Sequence, residues 1–478
     1  MADRERRRTL RDWREQLRRD TTAHGGHAGG PVPAVARWLD DRLGLAKGTR
    51  ALLRKPFPGH WSFLIGEIAL FALVVLFLTG TFLALFYRPD TRVVTYEGPY
   101  LPLKGSEVSI AYESMLRLSF EVRAGLLMRQ IHHHAANVFM AAVVAHMFRT
   151  FFTGAFRRPR ELLWVTGVAL LILGIGAGFT GYSLPDDLLS GTGLQIAYGI
   201  LLSVPLVGPF LAFVLLGGEL PNPDVLGRLH ILHVMIIPGG LVALVTAHLA
   251  ILFRVRHTQH PGGPRTDRNV VGKPMFPTQT MISGATFAAT VAVLALLGGL
   301  YEINPVWVYG PFEPARVFAP TQPDWYVGWL EGVFRLWPAW SIHLFGIVVP
   351  QPFIPGVVVP GLIFTLAILW PWIEVRWITH DREERNLLQL MRDNPVRSAI
   401  GTAGLTFLTV MFLAGSNDVL AALFVIHLEN VTLTLRTLLV VGPPVVGWLT
   451  YRWLTRLRRR DVEEARAAPR GEPRSRSA

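Results

Sequence analysis

Eight stretches of this chain stay apolar for long enough to cross a hydrocarbon layer of roughly 30 Å as helices, and nothing else in the sequence restricts the fold as much. They lie near residues 62–87, 131–152, 162–181, 229–253, 279–301, 354–373, 399–415 and 431–454. Inside a bilayer each backbone N–H and C=O needs a partner within the protein, and an isolated apolar run supplies those partners only as a helix. With 51% hydrophobic and 17% charged residues, the chain is too apolar for an ordinary soluble globule. The expected fold class is all-α integral membrane. A run at Gly193 to Gly217 also passes as a span by hydropathy, but Pro205 and Pro209 interrupt it.

Charge tests that count independently, because the net charge of +13 is concentrated outside the spans. Arg6, Arg7, Arg8, Arg18 and Arg19 precede the first span; Arg149, Arg157, Arg158 and Arg160 follow the second. Arg254, Arg256, Arg265, Arg268 and Lys273 follow the fourth, Arg376, Arg382, Arg385, Arg392 and Arg397 the sixth, and Arg452, Arg456, Arg458, Arg459 and Arg460 the eighth. Basic loops stay cytoplasmic, and eight spans put all these clusters and both termini on that side. A ninth span would export the clusters that follow the fourth and sixth spans, so residues 193–217 are expected to lie along the outer surface as short helices. Topology and anionic lipid account for the basic ends without nucleic acid. No run before the first span reads as a cleavable signal peptide, so that span is expected to direct insertion.

Two apolar runs carry paired histidines: His132 and His146 are 14 residues apart, His233 and His248 are 15 apart. At about 100° and 1.5 Å per residue, each interval returns the second ring to within roughly 40 to 60° of the first, about 21 Å further along. One helix thus offers a ligand at two depths, and a second helix can supply the opposite ligands for two stacked bis-histidine haems. A single intramembrane histidine reads equally well as a polar group paired with a neighbour. Two pairs at nearly equal intervals favour the haem reading. In RQIHHHAANVFMAAVVAHMFR, His133 and His134 would point roughly 120 to 140° away from the His132 face, which selects His132. His230 stands 18 residues from His248 and fails to match the other helix, which selects His233. Pro238 should kink the helix between its two ligands.

Glycines repeat the interval. Gly66 and Gly80 in the first span, and Gly167 and Gly181 in the third, are each 14 apart. Small residues in membrane helices ordinarily serve close packing. The shared interval favours contact with a flat ring instead. Arg129 and Arg149 lie three residues outside His132 and His146, where guanidinium groups can pair with haem propionates or anchor the helix at the interface. The absence of cysteine excludes disulfides, thiolate-ligated iron–sulfur clusters and thioether-linked haem.

With LTGTFLALFY closing the first span, GYSLPDDLLSGTGL after the third and PDWY at residues 323–326, the chain resembles cytochrome b of the cytochrome bc family, both halves fused in one chain. The resemblance covers residues 60–455, and GAFRRPRE and PDWYVGWLEG are similar to the actinobacterial branch. It implies a basic cytoplasmic segment at 1–60, a dihaem four-helix bundle at 61–260, four further helices with the PDWY loop at 261–455, and a basic cytoplasmic tail at 456–478. It further implies a bacterial cell membrane location, two non-covalent b-type haems, and oxidation of quinol, with menaquinol expected, at the outer face. One electron would pass to a Rieske iron–sulfur subunit. The other would cross from a low-potential haem on His132 and His233 to a high-potential haem on His146 and His248, and on to a cytoplasmic-side quinone. A cytochrome c subunit, a homodimer and a terminal oxidase in a supercomplex are the partners it implies.

The family usually has glutamate where this chain has Asp324, and the shorter side chain reduces its reach. A carboxylate beside an apolar pocket can take up a quinol proton and release it outward, the role implied for Asp324, with Tyr326 hydrogen-bonding the ring. By itself PDWY reads as a capped interfacial helix start. Asp186 and Asp187 read equally as a proton exit or as solvated loop charges. His257 reads as a candidate for the cytoplasmic quinone site or as an interfacial histidine. A histidine-containing transporter would not explain the matched intervals, and a dihaem anchor of another quinone-linked enzyme would need neither eight spans nor the PDWY loop.

Overall fold

The computed structural model describes residues 35, 38–42, 44, 53–316, 322–344 and 346–467. The arginines at 6, 7, 8, 18 and 19 and the end of the basic tail, 468–478, lie outside them. In chain order the main helices are α1 (Trp61–Ala84), α2 (Ile110–Phe120), α3 (Gly125–Phe152), α4 (Glu161–Tyr182), α5 (Leu188–Leu202), α6 (Gly208–Leu216) and α7 (Val225–Val255). They continue with α8 (Met275–Leu300), α9 (Trp325–Leu336), α10 (Ile354–Thr379), α11 (Pro395–Gly415), α12 (Asn417–Phe424) and α13 (Leu428–Ala467). Among the described residues eight of these are long and apolar enough to cross a membrane: α1, α3, α4, α7, α8, α10, α11 and α13. Most extend beyond their apolar runs because helical hydrogen bonding continues into polar ends, as at Arg129 on α3 and Arg456 on α13.

The interrupted run at 193–217 forms no span. It divides between α5 and α6, with Pro209 in the first turn of α6, where its missing N–H costs nothing. The Arg228 guanidinium donates to the carbonyls of Phe213 and Val214, both at 2.8 Å, in the last turn of α6, where helical partners run out. Strands are limited to short two-stranded ribbons among the described residues. One of them, Pro56–Phe57 against Lys273–Pro274, belongs to a small unit comprising Met1–Phe57 and Lys273–Thr280. The larger unit comprises Pro58–Gly272 and Met281–Ala478.

In the larger unit α1 packs along α3 and α4 along α7. Ala69, Ala72 and Leu73 of α1 meet Phe139, Met140 and Ala142 of α3 in a buried cluster that also takes in Leu241 of α7 and Tyr326 of α9. Small residues let these helices approach where apolar burial gives no advantage over lipid. Helix α7 is not a simple kinked rod: Leu232–Ile236 forms a π-helical turn ahead of Pro238. Proline cannot donate to the preceding turn, and the wider turn accommodates that loss.

Several loop arginines that mark topology in the sequence are also structural donors. Arg160 is 2% exposed and donates to the carbonyls of Val255, Arg256 and Arg385, while Arg157 donates to Leu387. Arg397 and Glu374 form a fully buried ion pair at 2.9 Å between α11 and α10. Helix α9, which begins with the PDWY segment, lies close on α11. A Cβ added at Gly332 would run into the carbonyl oxygen of Met411, and one at Gly415 into that of Gly328. Gly332→Val should therefore destabilise the protein by about 1–3 kcal/mol. Gly404→Ala, where a Cβ meets nothing within 4 Å, should leave it unchanged. Thermal unfolding of the detergent-solubilised protein checks both, and equal transitions would contradict the crossing.

Candidate dihaem and quinol site

Helix α3 carries His132 and His146, and α7 carries His233 and His248. The rings of His132 and His233 face each other with centroids 6.2 Å apart, and His146 lies within electrostatic range of His248 at the second level. The π-helical turn begins beside His233, and it absorbs one residue more than an α-helical turn. That is why 15 residues on α7 can match the 14 on α3.

Three of the four rings are tied through Nδ1. His132 Nδ1 lies 2.9 Å from Thr79 Oγ1, and His248 Nδ1 lies 2.8 Å from Thr166 Oγ1. His233 Nδ1 donates to the Ala177 carbonyl at 3.0 Å, with Thr180 Oγ1 at 3.3 Å. A ring held by Nδ1 keeps Nε2 for a metal and is fixed in orientation. The Nδ1 of His146 is buried without a partner among the described residues. The reason is legible in the sequence, although the intervals alone did not reveal it: Thr79, Thr166 and Thr180 immediately precede Gly80, Gly167 and Gly181, whereas Ile65 precedes Gly66.

Each glycine of the pattern faces one of these histidines across a helix pair. A Cβ at Gly66 would come within 3.1 Å of His146, at Gly80 within 3.1 Å of His132, at Gly181 within 2.5 Å of His233, and at Gly167 within 3.9 Å of His248. The imidazoles themselves thus occupy the room that sequence reasoning reserved for the face of a flat ring. Arg129 donates through Nη1 to Asn304 O at 3.0 Å, but its Nε and Nη2 are buried without partners among the described residues, as are Nε and Nη2 of Arg149. Two other histidines have partners of their own, although His230 also lines the cavity beside His132 and His233. His134 Nε2 lies 2.7 Å from Tyr301 O, and His230 packs against Tyr87.

His133 Nε2 lies 2.7 Å from Asp324 Oδ1, and the Tyr326 hydroxyl donates to Asp324 Oδ2 at 2.9 Å. Asp324 occupies the N-cap position of α9 but makes no side-chain cap bond, so the capped-helix reading fails for its carboxylate. Tyr326 is 3% exposed, and its hydroxyl sits where a Cβ at Gly178 would be. Burial, with the Asp324 charge beside it, raises the Tyr326 phenol well above its ordinary value and keeps it a donor. A cavity of about 490 Å³ is lined by His132, His133, His233, Arg129, Asp324 and Tyr326, with Gly80, Gly181 and Asp187 among its other walls. Asp187 is 2% exposed, which rules out the solvated-charge reading for it.

Near the second level, His257 packs edge-on to Phe63, over which the Arg149 guanidinium lies at 4.3 Å. The structure adds His60 and His260 there, ring centroids 4.1 Å apart, which the sequence reading did not single out. Burial, together with His60, Arg149 and Arg265, pushes His260 down to about 4.

The histidine pair at the His132 level has the donor type that a haem iron takes, and His146 and His248 lie within range of each other at the second level. Among the described residues no group of three or more His, Cys, Asp or Glu converges on a point, so a bare metal ion lacks a protein ligand set. A pair of opposed imidazoles is sufficient only for an iron whose remaining ligands come from a macrocycle. The unpartnered guanidinium nitrogens of Arg129 and Arg149 suit the carboxylates such a ring carries.

Comparison with known proteins identifies the family. The family described as "Cytochrome b(N-terminal)/b6/petB" matches residues 137–311. The cytochrome bc1 complex cytochrome b subunit of Mycobacterium tuberculosis is 48% identical over 424 residues, 88% of this chain and 77% of that protein. Its counterpart in Streptomyces coelicolor is 43% identical over 442 residues, 91% of this chain and 80% of that protein. A chain of a solved structure titled "Hyperthermophilic respiratory Complex III" has the same fold, with a TM-score of 0.63 at 22% identity over 87% of this chain and 100% of that one. A multi-pass membrane chain with this similarity over most of its length belongs to the cytochrome b subunits of the cytochrome bc1 complex.

Proposed function

We propose that this chain, as the cytochrome b subunit of a quinol:cytochrome c oxidoreductase, oxidises quinol in the cavity beside His132 and His233 and serves quinone reduction beside His146 and His248. The observation that carries the reading is that the cavity a haem on His132 and His233 would partly fill is continuous with a wall formed by the Asp324 and Tyr326 pair. A dihaem anchor that only relays electrons has no use for a carboxylate held in this way. The distribution of basic loops orients the His132 level outward and the His146 level, with both termini, towards the cytoplasm.

When bound, a b-type haem at each level supplies one-electron transfer through the membrane. His132 and His233 hold the outer, low-potential one; His146 and His248 hold the inner, high-potential one. Thr79, Thr166 and Thr180 orient three of the ligands, and Arg129 and Arg149 offer N–H groups to propionates. Asp324 takes a proton from quinol when a quinol hydroxyl displaces one of the two groups now bonded to its carboxylate. His133 and Tyr326 hold that carboxylate in place until then. A Rieske iron–sulfur subunit docked on the GYSLPDDLLSGTGL wall would accept one electron, and the group that His132 and His233 would hold is placed to accept the other. Menaquinol as substrate, a cytochrome c subunit, a homodimer and an oxidase-containing supercomplex complete the reading. At the cytoplasmic side His257, with His60 and His260 nearby, borders the quinone site.

Stepwise redox titration followed by visible spectroscopy should resolve two b-type components in the purified protein, and one or none would overturn the dihaem assignment. Thr79→Val should shift the midpoint of the component held by His132 and leave the other in place. A shift of both components or of neither would contradict the Nδ1 assignment. Asp324→Asn should keep both spectral components and lower quinol turnover by about 10²–10⁴-fold, the usual range for a general acid–base group. Wild-type turnover in that variant would remove Asp324 from the mechanism.

A further inference from the structure

Asp187 caps the start of α5 through a capping box, in which its Oδ1 accepts from Ser190 N at 2.7 Å and its own N donates to Ser190 Oγ at 3.1 Å. Capping does not require a carboxylate, because asparagine or serine caps a helix about as well without a charge to desolvate. The position is unusually closed for a cap. Leu188 N donates to Gly310 O at 3.0 Å, Asp187 bridges to Pro311, and the side chain is almost fully covered by protein. The opening it does have is the quinol cavity, which it lines together with Asp324, Tyr326 and Tyr182.

The charged and titratable groups around it come from every neighbouring element. Arg129 reaches towards it from α3, Asp186 precedes it, and Tyr112 of α2, Tyr182 of α4 and Tyr309 lie within electrostatic range. Tyr182 is in range of both Asp187 and Asp324. Burial pushes the Asp187 carboxyl up to about 6, against the opposing pull of the Ser190 hydrogen bonds and the Arg129 guanidinium. A group poised there is ionised and able to accept above that pH, and already protonated below it.

We propose that Asp187 is a second proton-accepting carboxylate of this cavity, taking up a proton released by quinol oxidation. The inference rests on the quinol reading above. Oxidation of one quinol breaks two O–H bonds and releases two electrons. The electrons would be taken by one-electron acceptors, an iron–sulfur partner and the b-type haem that His132 and His233 would hold, and the protons pass to acceptors, of which Asp324 is one and Asp187 another.

The test uses the purified complex with Asp187→Asn and Asp187→Ser, two non-titrating caps. Infrared difference spectra across pH, taken without quinol, should show a carboxyl protonating near 6 in the wild type and missing from both variants. Quinol turnover should fall about 10- to 100-fold, less than a sole proton acceptor would cost because Asp324 remains. The decline of the wild-type rate on acidification through about 6 should disappear with it. Intact b-type spectra in either variant show that the loss is not one of folding. Wild-type turnover and pH profile in both variants would reduce Asp187 to a cap, and absence of the infrared band would overturn its titration. A wild-type complex that shows the band but oxidises no quinol would overturn the quinol reading itself, and this proposal with it.

Discussion

The packing of an imidazole against a glycine on the facing helix is the constraint on which the site depends. At Gly66, Gly80 and Gly181 a histidine of α3 or α7 crowds the place where a side chain on α1 or α4 would project, and at Gly167 the His248 ring lies at ordinary contact distance. A methyl group at Gly181 would come within 2.5 Å of the His233 ring, so the glycine is a condition for the ring to be there at all. Because membrane helices gain little from apolar burial against one another, close contact and polar pairing decide their arrangement. Here both act together: the glycine admits the ring, and the threonine before it, where there is one, fixes the ring's orientation.

The adjacency of His132 and His133 couples two roles. Successive helix residues point about 100° apart, so one histidine of the run faces α7 while its neighbour faces α9. The first contributes to the pair with His233, and the second holds Asp324. Asp324 is thereby oriented from the helix that carries His132 and His146, and the Gly332 and Gly415 crossing with α11 seats the helix that carries Asp324. A displacement of α3 relative to α9 would disturb both roles.

At the basic loops, one set of residues serves two physical demands. Arginines resist export across the bilayer, which makes them topology signals. Once placed, Arg157 and Arg160 satisfy backbone carbonyls at helix ends, and Arg397 pairs with the buried Glu374. The sequence reading counted them as charges and could not see them as donors, because these acceptors of Arg157 and Arg160 lie some 90 to 230 residues away and Glu374 lies on a different helix from Arg397.

The sequence alone determined what depends on hydropathy and on intervals along one helix: the eight spans, the exclusion of 193–217 from them, and the choice of four histidines and four glycines. These are one-dimensional properties, since hydrocarbon thickness and helical pitch convert residue number into depth and direction. Tertiary structure decided everything that depends on which residue meets which between helices. It paired each glycine with its histidine, gave His133 to Asp324, buried Asp187 in the cavity wall and left the His146 Nδ1 without a partner among the described residues. It also explained the unequal intervals of 14 and 15, because a π-helical turn enforced by Pro238 changes the local pitch, and pitch is a property of the folded backbone.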